Sequence, residues 1–146
     1  MESGERHYDV IIIGGGPAGM TAGLYTSRAR LKTLLIENGL FGGQMTTTEL
    51  IENYPGFPQG VSGEELSRLM EEQAKRFGME TIFDEVSAIG LEEKLKRVKT
   101  SGSDLFCRAL IICTGAEYRK LGVPGEEKFT GRGISYCATC DGAFLS

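Results

Sequence analysis

The feature that most constrains the fold is an apolar run, residues 8–13, that passes directly into the glycine-rich stretch 14–19. The run has no polar alternation, which is typical of a strand buried on both faces of a parallel sheet. Pro17 suits the first position of a helix, because its φ angle is fixed and it has no N–H to satisfy. Residues 33–36 predict a second parallel strand that ends at Glu37. This strand–loop–helix–strand order indicates an α/β fold.

The glycine spacing G-x-G-x-x-G in this context predicts a dinucleotide site. Gly14 permits the tight turn, and Gly16 lets a pyrophosphate approach the backbone, with the positive end of the helix facing the phosphates. Glu37 is placed to accept hydrogen bonds from a ribose diol and would repel a 2′-phosphate. The site is therefore expected to prefer FAD or NAD over NADP, and the loop alone does not separate the first two. The loop residues assigned to the site are Gly14, Gly15, Gly16, Pro17, Ala18 and Gly19.

Two further loops are candidates for ligand contact. The loop 40–48 contains Gly42, Gly43 and Gln44, which could wrap a ligand, although these residues taken alone favour a flexible surface loop. Residues 109–113 predict another buried apolar strand, which ends in the turn Thr114-Gly115-Ala116. Ligands of open α/β sheets bind at the carboxyl ends of strands, so this turn and the stretch 14–19 are expected to face the same crevice.

A covering helix and a small meander are predicted between these loops. Ser62 and Glu65 form a capping box, and the helix is expected to run to Phe77 and to end at Gly78. Its inner stripe is predicted to consist of Leu66, Leu69, Met70, Gln73 and Phe77. Segments of strand character at 80–83, 86–89, 95–100 and 104–107 predict a small antiparallel meander. Residues 117–128 predict a linker or domain border.

Cys137 and Cys140 form a Cys-x-x-Cys pair, followed at once by Asp141. A closed zinc site needs four ligands, and Cys107 and Cys113 would lie roughly 20 Å apart on one strand, too far to share a metal. No metal site is therefore expected, and the pair is interpreted as a redox disulfide. Asp141 is interpreted as a proton donor or acceptor for a sulfur, with a turn residue as the alternative.

Composition excludes several function classes. The chain has 146 residues and a net charge of −4, which favours neither nucleic acid nor an anionic membrane surface. No apolar run approaches the ~20 residues of a membrane span, and the first residues have no signal-peptide pattern, so a cytoplasmic location is expected. Four cysteines in such a chain indicate redox or metal chemistry rather than a structural disulfide framework.

In their order along the chain, these motifs closely resemble the low-molecular-weight thioredoxin reductases, flavoproteins of the pyridine nucleotide-disulfide oxidoreductase group. The sequence Cys-Ala-Thr-Cys-Asp-Gly is the most specific part of the resemblance. It implies a Rossmann-like, FAD-binding three-layer α/β fold with a parallel sheet and a small antiparallel meander, incomplete relative to the family. It also implies two domains: 1–117 as the first segment of the FAD-binding domain, and 118–146 as the start of the pyridine-nucleotide domain.

The resemblance further implies a route for electrons from NADPH through FAD to a Cys137–Cys140 disulfide and on to thioredoxin or a similar small disulfide protein. Cys140 would lie nearest the flavin, Cys137 would attack the protein substrate, and Asp141 would act as acid and base. Such enzymes are usually homodimers. The residues implied to line FAD are Gly14, Gly15, Gly16, Pro17, Ala18, Glu37, Gly42, Gly43, Gln44, Asn53, Val86 (through its backbone), Thr114, Gly115 and Ala116.

The chain departs from the family in one large respect. Family members carry a second nucleotide-binding loop for NADPH and a returning segment that closes the FAD site and adds a sheet strand. This chain has neither, so it is expected to be the amino-terminal half, to expose a sheet edge and to be inactive alone. The alternatives are a related flavoprotein with another disulfide partner or electron donor, and a non-catalytic FAD- or NAD-binding module.

Overall fold

The structure, a computed structural model, describes residues 6–92 and 94–136. The chain divides into two compact units, Met1–Gly115 and Ala116–Ser146. The predicted redox motif, Cys137, Cys140 and Asp141, lies outside the described residues. The assignment of the domains as 1–117 and 118–146 stays a prediction. Over the described residues, no helix has the length and apolar character that crossing a membrane requires.

The first unit opens as the sequence predicts. β1 (Arg6–Ile13) is followed by α1 (Pro17–Arg28) and β2 (Thr33–Glu37). Pro17 occupies the first helical turn and Gly16 is the N-cap residue. β1 and β2 pair in parallel, with Val10 opposite Thr33. The predicted strand–loop–helix–strand unit is therefore confirmed.

The covering helix α2 (Gly63–Lys75) follows a short 3-10 helix (Gly43–Thr47). The Glu65 N–H donates to Ser62 Oγ over 3.1 Å, which confirms the predicted N-cap. The helix ends two residues before the predicted Phe77. Gly78, with φ of +96°, closes the helix, because its N–H donates to the Lys75 carbonyl and the N–H of the next residue donates to that of Ala74.

The predicted inner stripe of α2 is correct at Leu66 and wrong at its far end. Leu66 and Ala74 are buried, whereas Gln73 is exposed and Phe77 is 37% exposed. The contact line runs through residues 66, 70 and 74. Gln73 precedes this line by one position, a rotation of about 100° that turns it toward solvent, and Phe77 lies beyond the last assigned helical residue.

The six strands form one mixed sheet in the order β3-β2-β1-β6-β5-β4. The new strands are β3 (Glu80–Phe83), β4 (Val86–Leu91), β5 (Lys96–Thr100) and β6 (Asp104–Ile112). β4, β5 and β6 pair in antiparallel fashion, as predicted for the meander. β3 does not belong to it: β3 follows the crossover helix α2 and pairs in parallel with β2.

The predicted strands 104–107 and 109–113 are one continuous strand. β6 lies parallel to β1 along its whole length, from Arg6 opposite Leu105 to Ile13 opposite Ile112. This central partner keeps the strand extended through the polar Arg108, where the sequence suggested a break. The same strand therefore belongs to both the parallel and the antiparallel part of the sheet.

Two apolar clusters cover the two faces of the parallel strands. On the helix face, Val10, Ile12 and Leu35 pack with Met20, Ala74 and Met79. On the other face, Ile11, Leu34 and Ile36 pack with Tyr8, Val98, Leu105 and Cys107. Because Val98 comes from β5 and Leu105 from the antiparallel-paired half of β6, the antiparallel strands cover this second face. The arrangement gives the three layers that the resemblance implies.

The two halves of β6 differ in burial. Leu105 and Cys107 are fully buried, whereas Ala109 is exposed and Ile112 is 63% exposed. The prediction of a buried strand over 109–113 is therefore wrong for its far end. The reason is pairing: β5 lies opposite residues 104–107 only. Among the described residues, 108–112 pair with β1 alone, which gives the expected exposed sheet edge.

The second unit contains a short helix where the sequence predicted a linker. α3 (Glu126–Phe129) follows Gly125, whose φ is +88°. The buried Glu126 carboxylate accepts the N–H groups of Leu121 and Gly122 over 2.8 and 2.6 Å. These two hydrogen bonds hold the preceding turn against the helix, so this part of the predicted linker has a fixed local structure.

Candidate dinucleotide site

Two turns at the carboxyl ends of β1 and β6 lie against each other. The Cys113 N–H donates to the Ile13 carbonyl over 2.7 Å. Gly14 has a φ of +105°, and a Cβ there would overlap the Cys113 carbonyl. Gly14 is therefore required by both its conformation and the close approach of the β6 end. The turns expected to face one crevice are in contact.

The carboxylate of Glu37 holds the glycine loop from the end of β2. Its Oε2 accepts the Gly15 N–H over 2.5 Å, and its Oε1 accepts the Gly39 N–H over 2.8 Å. A Cβ on Gly15 would lie 2.6 Å from the Phe41 ring. Each carboxylate oxygen keeps further acceptor capacity, so Glu37 can still accept a hydroxyl while it fixes the loop.

Gly16 presents open backbone at the start of α1. No atom lies within 4 Å of the position that a Cβ would occupy. The first turn of the helix contains no acidic residue, and the Met20 N–H is bonded to the Gly16 carbonyl over 3.0 Å. Backbone N–H groups before Met20 have no acceptor inside the helix. This end of α1 therefore offers donors and a positive dipole to an anion.

The loop that follows β2 is tied to the glycine loop. The Gly42 N–H donates to the Gly15 carbonyl over 2.8 Å, and the φ of Gly42 is +112°. A Cβ on Gly42 would overlap the hydroxyl of Ser67 in α2. Gly43, whose Cβ position lies 3.5 Å from the Gly16 Cα, begins the 3-10 helix, which also contains Gln44. This segment of the loop is therefore tied by its backbone to the glycine loop.

An open cavity of about 640 Å³ lies between this loop, α2 and the end of β3. Phe41 and Phe83 form its apolar wall, with their rings edge to face and 4.8 Å between centroids. Its lining also includes the charged residues Glu64, Arg68 and Glu71 from α2. The cavity therefore combines an aromatic wall with charged side chains.

The remaining predicted site residues lie in other segments. Asn53 borders a separate shallow cavity formed by residues 52–58. Val86 is the first residue of β4, lies opposite Thr100 and packs on the second-face core. Thr114 and Gly115 follow β6 and are exposed, and Gly115 has a φ of +71° with open space around it. Ala116 is the first residue of the second unit.

The two described thiols are poor nucleophiles. Cys107 is buried and Cys113 is half-buried. Burial raises the pKa of both thiols above the ordinary value, so both stay protonated at neutral pH. In this environment a cysteine behaves as a small apolar residue. Within residues 6–92 and 94–136, no cluster of His, Cys, Asp or Glu side chains could hold a metal ion.

Sequence reasoning missed one residue beside the site, Asp84. Its N–H donates to the Glu37 carbonyl over 3.0 Å. Its carboxylate accepts the N–H groups of Glu85, Ser101 and Gly102 over 2.8, 3.1 and 3.3 Å, and also the Ser101 hydroxyl. The hydrogen bond from the Ser101 side chain is the main reason that the pKa of this carboxyl lies well below its usual range. An Asp directly after a strand was the available signal, but its partners lie far away in sequence.

The comparisons with known proteins point to one family. The family model described as pyridine nucleotide-disulphide oxidoreductase matches residues 8–146. A thioredoxin reductase of Bacillus subtilis is 56% identical over 98% of this chain. The crystal structure of a Streptococcus pyogenes thioredoxin reductase is 50% identical over 96% of the chain, with a TM-score of 0.85. A ferredoxin-flavin thioredoxin reductase from Clostridium acetobutylicum is 31% identical, covers 96% of the chain and has a TM-score of 0.70.

This chain covers only part of the length of these relatives. The chain spans 45% of the length of the Bacillus and Streptococcus proteins and 48% of the Clostridium structure. The similarity to thioredoxin reductases expected from the glycine loop and the cysteine pair is confirmed. Since the family model covers nearly the whole chain, the chain belongs to the pyridine nucleotide-disulphide oxidoreductase family.

Proposed function

We propose that this chain supplies the first part of the FAD site and the redox-active cysteine pair of a thioredoxin-disulfide reductase. When bound, FAD supplies two-electron transfer between NADPH and a disulfide. The residues proposed to hold it are those predicted from the sequence, with Glu37 at the ribose and Gly14–Ala18 at the pyrophosphate. Gly42–Gln44, Asn53, the Val86 backbone and Thr114–Ala116 complete the proposed set.

The main support for this proposal is the empty space beside Gly16. Gly16 lies at the start of α1, and the Glu37 carboxylate is fixed nearby by its hydrogen bond to the Gly15 N–H. A Cβ on Gly14, Gly15 or Gly42 would collide with other protein atoms, whereas no atom lies within 4 Å of the Cβ position of Gly16. A pyrophosphate needs donors without a side chain in the way, and a sugar diol needs a fixed carboxylate nearby. The two requirements meet within one loop, which favours a dinucleotide over a single phosphate ion.

In the proposed mechanism the two cysteines have distinct roles. The Cys137 thiolate attacks one sulfur of the partner disulfide, which forms a mixed disulfide and releases the other partner sulfur as a thiolate. Cys140 then attacks the Cys137 sulfur, so the partner leaves as a dithiol and the Cys137–Cys140 disulfide forms. Asp141 donates or accepts the accompanying proton.

Flavin binding is tested by mixing the purified chain with FAD, removing free ligand and recording the visible absorption spectrum. Retained flavin absorption is expected. The Gly16→Val chain is expected to keep its circular dichroism spectrum and to lose the flavin, because the added side chain fills the open position. Wild-type chain that retains no FAD would contradict the proposed site.

The cysteine roles are tested with a protein that also contains the remaining half of a relative. The Cys140→Ser variant is expected to accumulate a mixed disulfide with thioredoxin through Cys137, detected on a non-reducing gel. The Cys137→Ser variant is the matched control and is expected to trap none. If the Cys137→Ser variant trapped thioredoxin and the Cys140→Ser variant did not, the roles of the two cysteines would be reversed. Unchanged disulfide turnover in both variants would favour a non-catalytic nucleotide-binding module.

A different electron donor is the second candidate. The Clostridium structure that this chain resembles is titled a ferredoxin-flavin thioredoxin reductase. Comparing NADPH with reduced ferredoxin as donor in the completed protein separates the two. Neither donor is expected to support turnover by the 146-residue chain alone. Steady NADPH oxidation by that chain with thioredoxin would refute this part of the proposal.

Thioredoxin or a similar small disulfide protein is the proposed partner. A homodimeric state of the completed protein and a cytoplasmic location are also parts of the proposal. Gel filtration of the completed protein tests the first, and fractionation of the source cells tests the second.

A further inference from the structure

Asp84 lies between two residues proposed to contact the dinucleotide, one of which is placed at its adenosine ribose. Glu37, proposed for the ribose, ends β2, and Val86, whose backbone is proposed to line the dinucleotide, begins β4. The Asp84 N–H binds the Glu37 carbonyl over 3.0 Å, and Val86 follows two residues later. The backbone of Asp84 therefore joins the two segments directly.

The side chain of Asp84 adds a third segment. Its Oδ1 accepts the N–H groups of Glu85 and Ser101, and its Oδ2 accepts the N–H of Gly102. Residues 101 and 102 form the turn between β5 and β6, far along the chain. One carboxylate therefore fixes the β3–β4 connection against a distant turn, and fixes with it the start of β4.

The start of β4 is irregularly paired, although Val86 packs on the second-face core. The pairing of β4 with β5 shifts register between Val86 and Ala88, and β4 is the last strand of the sheet. A strand end with an irregular ladder on one side and an open edge on the other is held weakly by its own pairing. The hydrogen bonds of Asp84 lie directly before this irregular point in the chain.

We propose that Asp84 is a positioning residue for dinucleotide recognition: it holds the backbone at Val86 and the end of β2 in register with each other, so that the site selects ligands that contain adenosine. The inference rests on the flavin site proposed above and deepens it. Asp84 does not need to touch the ligand. Its effect is expected on adenosine-containing ligands and not on the flavin end.

FAD and FMN distinguish this role from a general structural one, because FMN lacks the adenosine half. Binding of both to the purified chain is measured by calorimetry for the wild type, Asp84→Ala and Asp84→Asn. Asp84→Ala is expected to weaken FAD binding about tenfold, the size of one or two lost hydrogen bonds, and to leave FMN binding within about twofold. Asp84→Asn keeps one acceptor and is expected to fall between.

Two further variants keep the test decisive. Ser101→Ala leaves Asp84 in place, removes one donor and is expected to weaken FAD binding about threefold without affecting FMN. Asp104→Asn is the matched control, because it removes an exposed carboxylate from the same hairpin. That carboxylate lies 3.8 Å from the Arg97 guanidinium. If Asp84→Ala fails to fold, Asp84→Asn and Ser101→Ala carry the comparison.

Equal weakening of FAD and FMN in the Asp84 and Ser101 variants would overturn the inference, and so would unchanged FAD binding. Wild-type chain that binds neither ligand would instead show that the proposed flavin site is wrong, and the inference would fail with it. The two failures are distinguished by the wild-type titration alone.

Discussion

The carboxyl ends of β2 and β6 lie in the same sheet. They differ in how many contacts the described part of the chain makes with them. At the end of β2, the Glu37 carboxylate, the Gly15 backbone and the loop at Gly42 bind one another directly. Along residues 108–112 of β6, the described part of the chain supplies a neighbour on one side only, and Ile112 is 63% exposed. The glycine loop is therefore held by contacts within the chain, whereas residues 108–112 of β6 have a neighbouring strand on one side only among the described residues.

Within the glycine loop, the glycines have two different structural roles. Gly19 and Gly14 are packed so closely that their side-chain positions are occupied by backbone. Gly16 has empty space in the same place. The same sequence pattern thus contains glycines that packing requires and one glycine with open space around it, and substitutions distinguish the two kinds.

The largest expected effect is at Gly19. Gly19→Ala places a methyl group on the Gly14 carbonyl and is expected to lower the free energy of unfolding by about 3 kcal/mol or more, since neither backbone segment can move away. Gly16→Ala, the control, is expected to cost less than about 1 kcal/mol. Urea denaturation followed by circular dichroism measures both. Equal destabilisation by the two changes would break the distinction between packed and open glycines.

The next effect compares the two halves of β6. Leu105→Ala removes a fully buried side chain and is expected to cost about 2–5 kcal/mol. Ile112→Ala removes a side chain that is mostly in water and is expected to change stability by less than about 1 kcal/mol. Thermal unfolding of both variants checks the pair. A large loss at Ile112 would mean that a further segment or a second molecule covers this edge in solution.

The smallest effect concerns pH. Because the pKa of folded Asp84 lies below its unfolded value, its contribution is present above about pH 4 and is lost as the pH falls below that value. The difference in Tm between wild type and Asp84→Asn is therefore expected to be largest near neutral pH and to shrink at pH 3. A difference that does not change with pH would show that the charge of Asp84 contributes nothing to stability.

Local patterns predicted the glycine loop, α1, β2 and the Ser62 cap, because each depends on residues that are close in sequence. Distant pairing could not be read in the same way. β3 joined the parallel strands and 104–112 became one strand because β2 and β1, respectively, were available as partners. Asp84 was missed for the same reason, since its role depends on the distant turn at Ser101.

The pairing of β1 with β6 also has a consequence for how the chain reaches its structure. Arg6 lies opposite Leu105, so the centre of the sheet joins the first described residues to a strand that begins at Asp104. During synthesis, nearly the whole first unit is made before β6, the second neighbour of β1, is complete. Such long-range parallel pairing slows folding, and the apolar edge of β1 is exposed to other nascent chains in the interval.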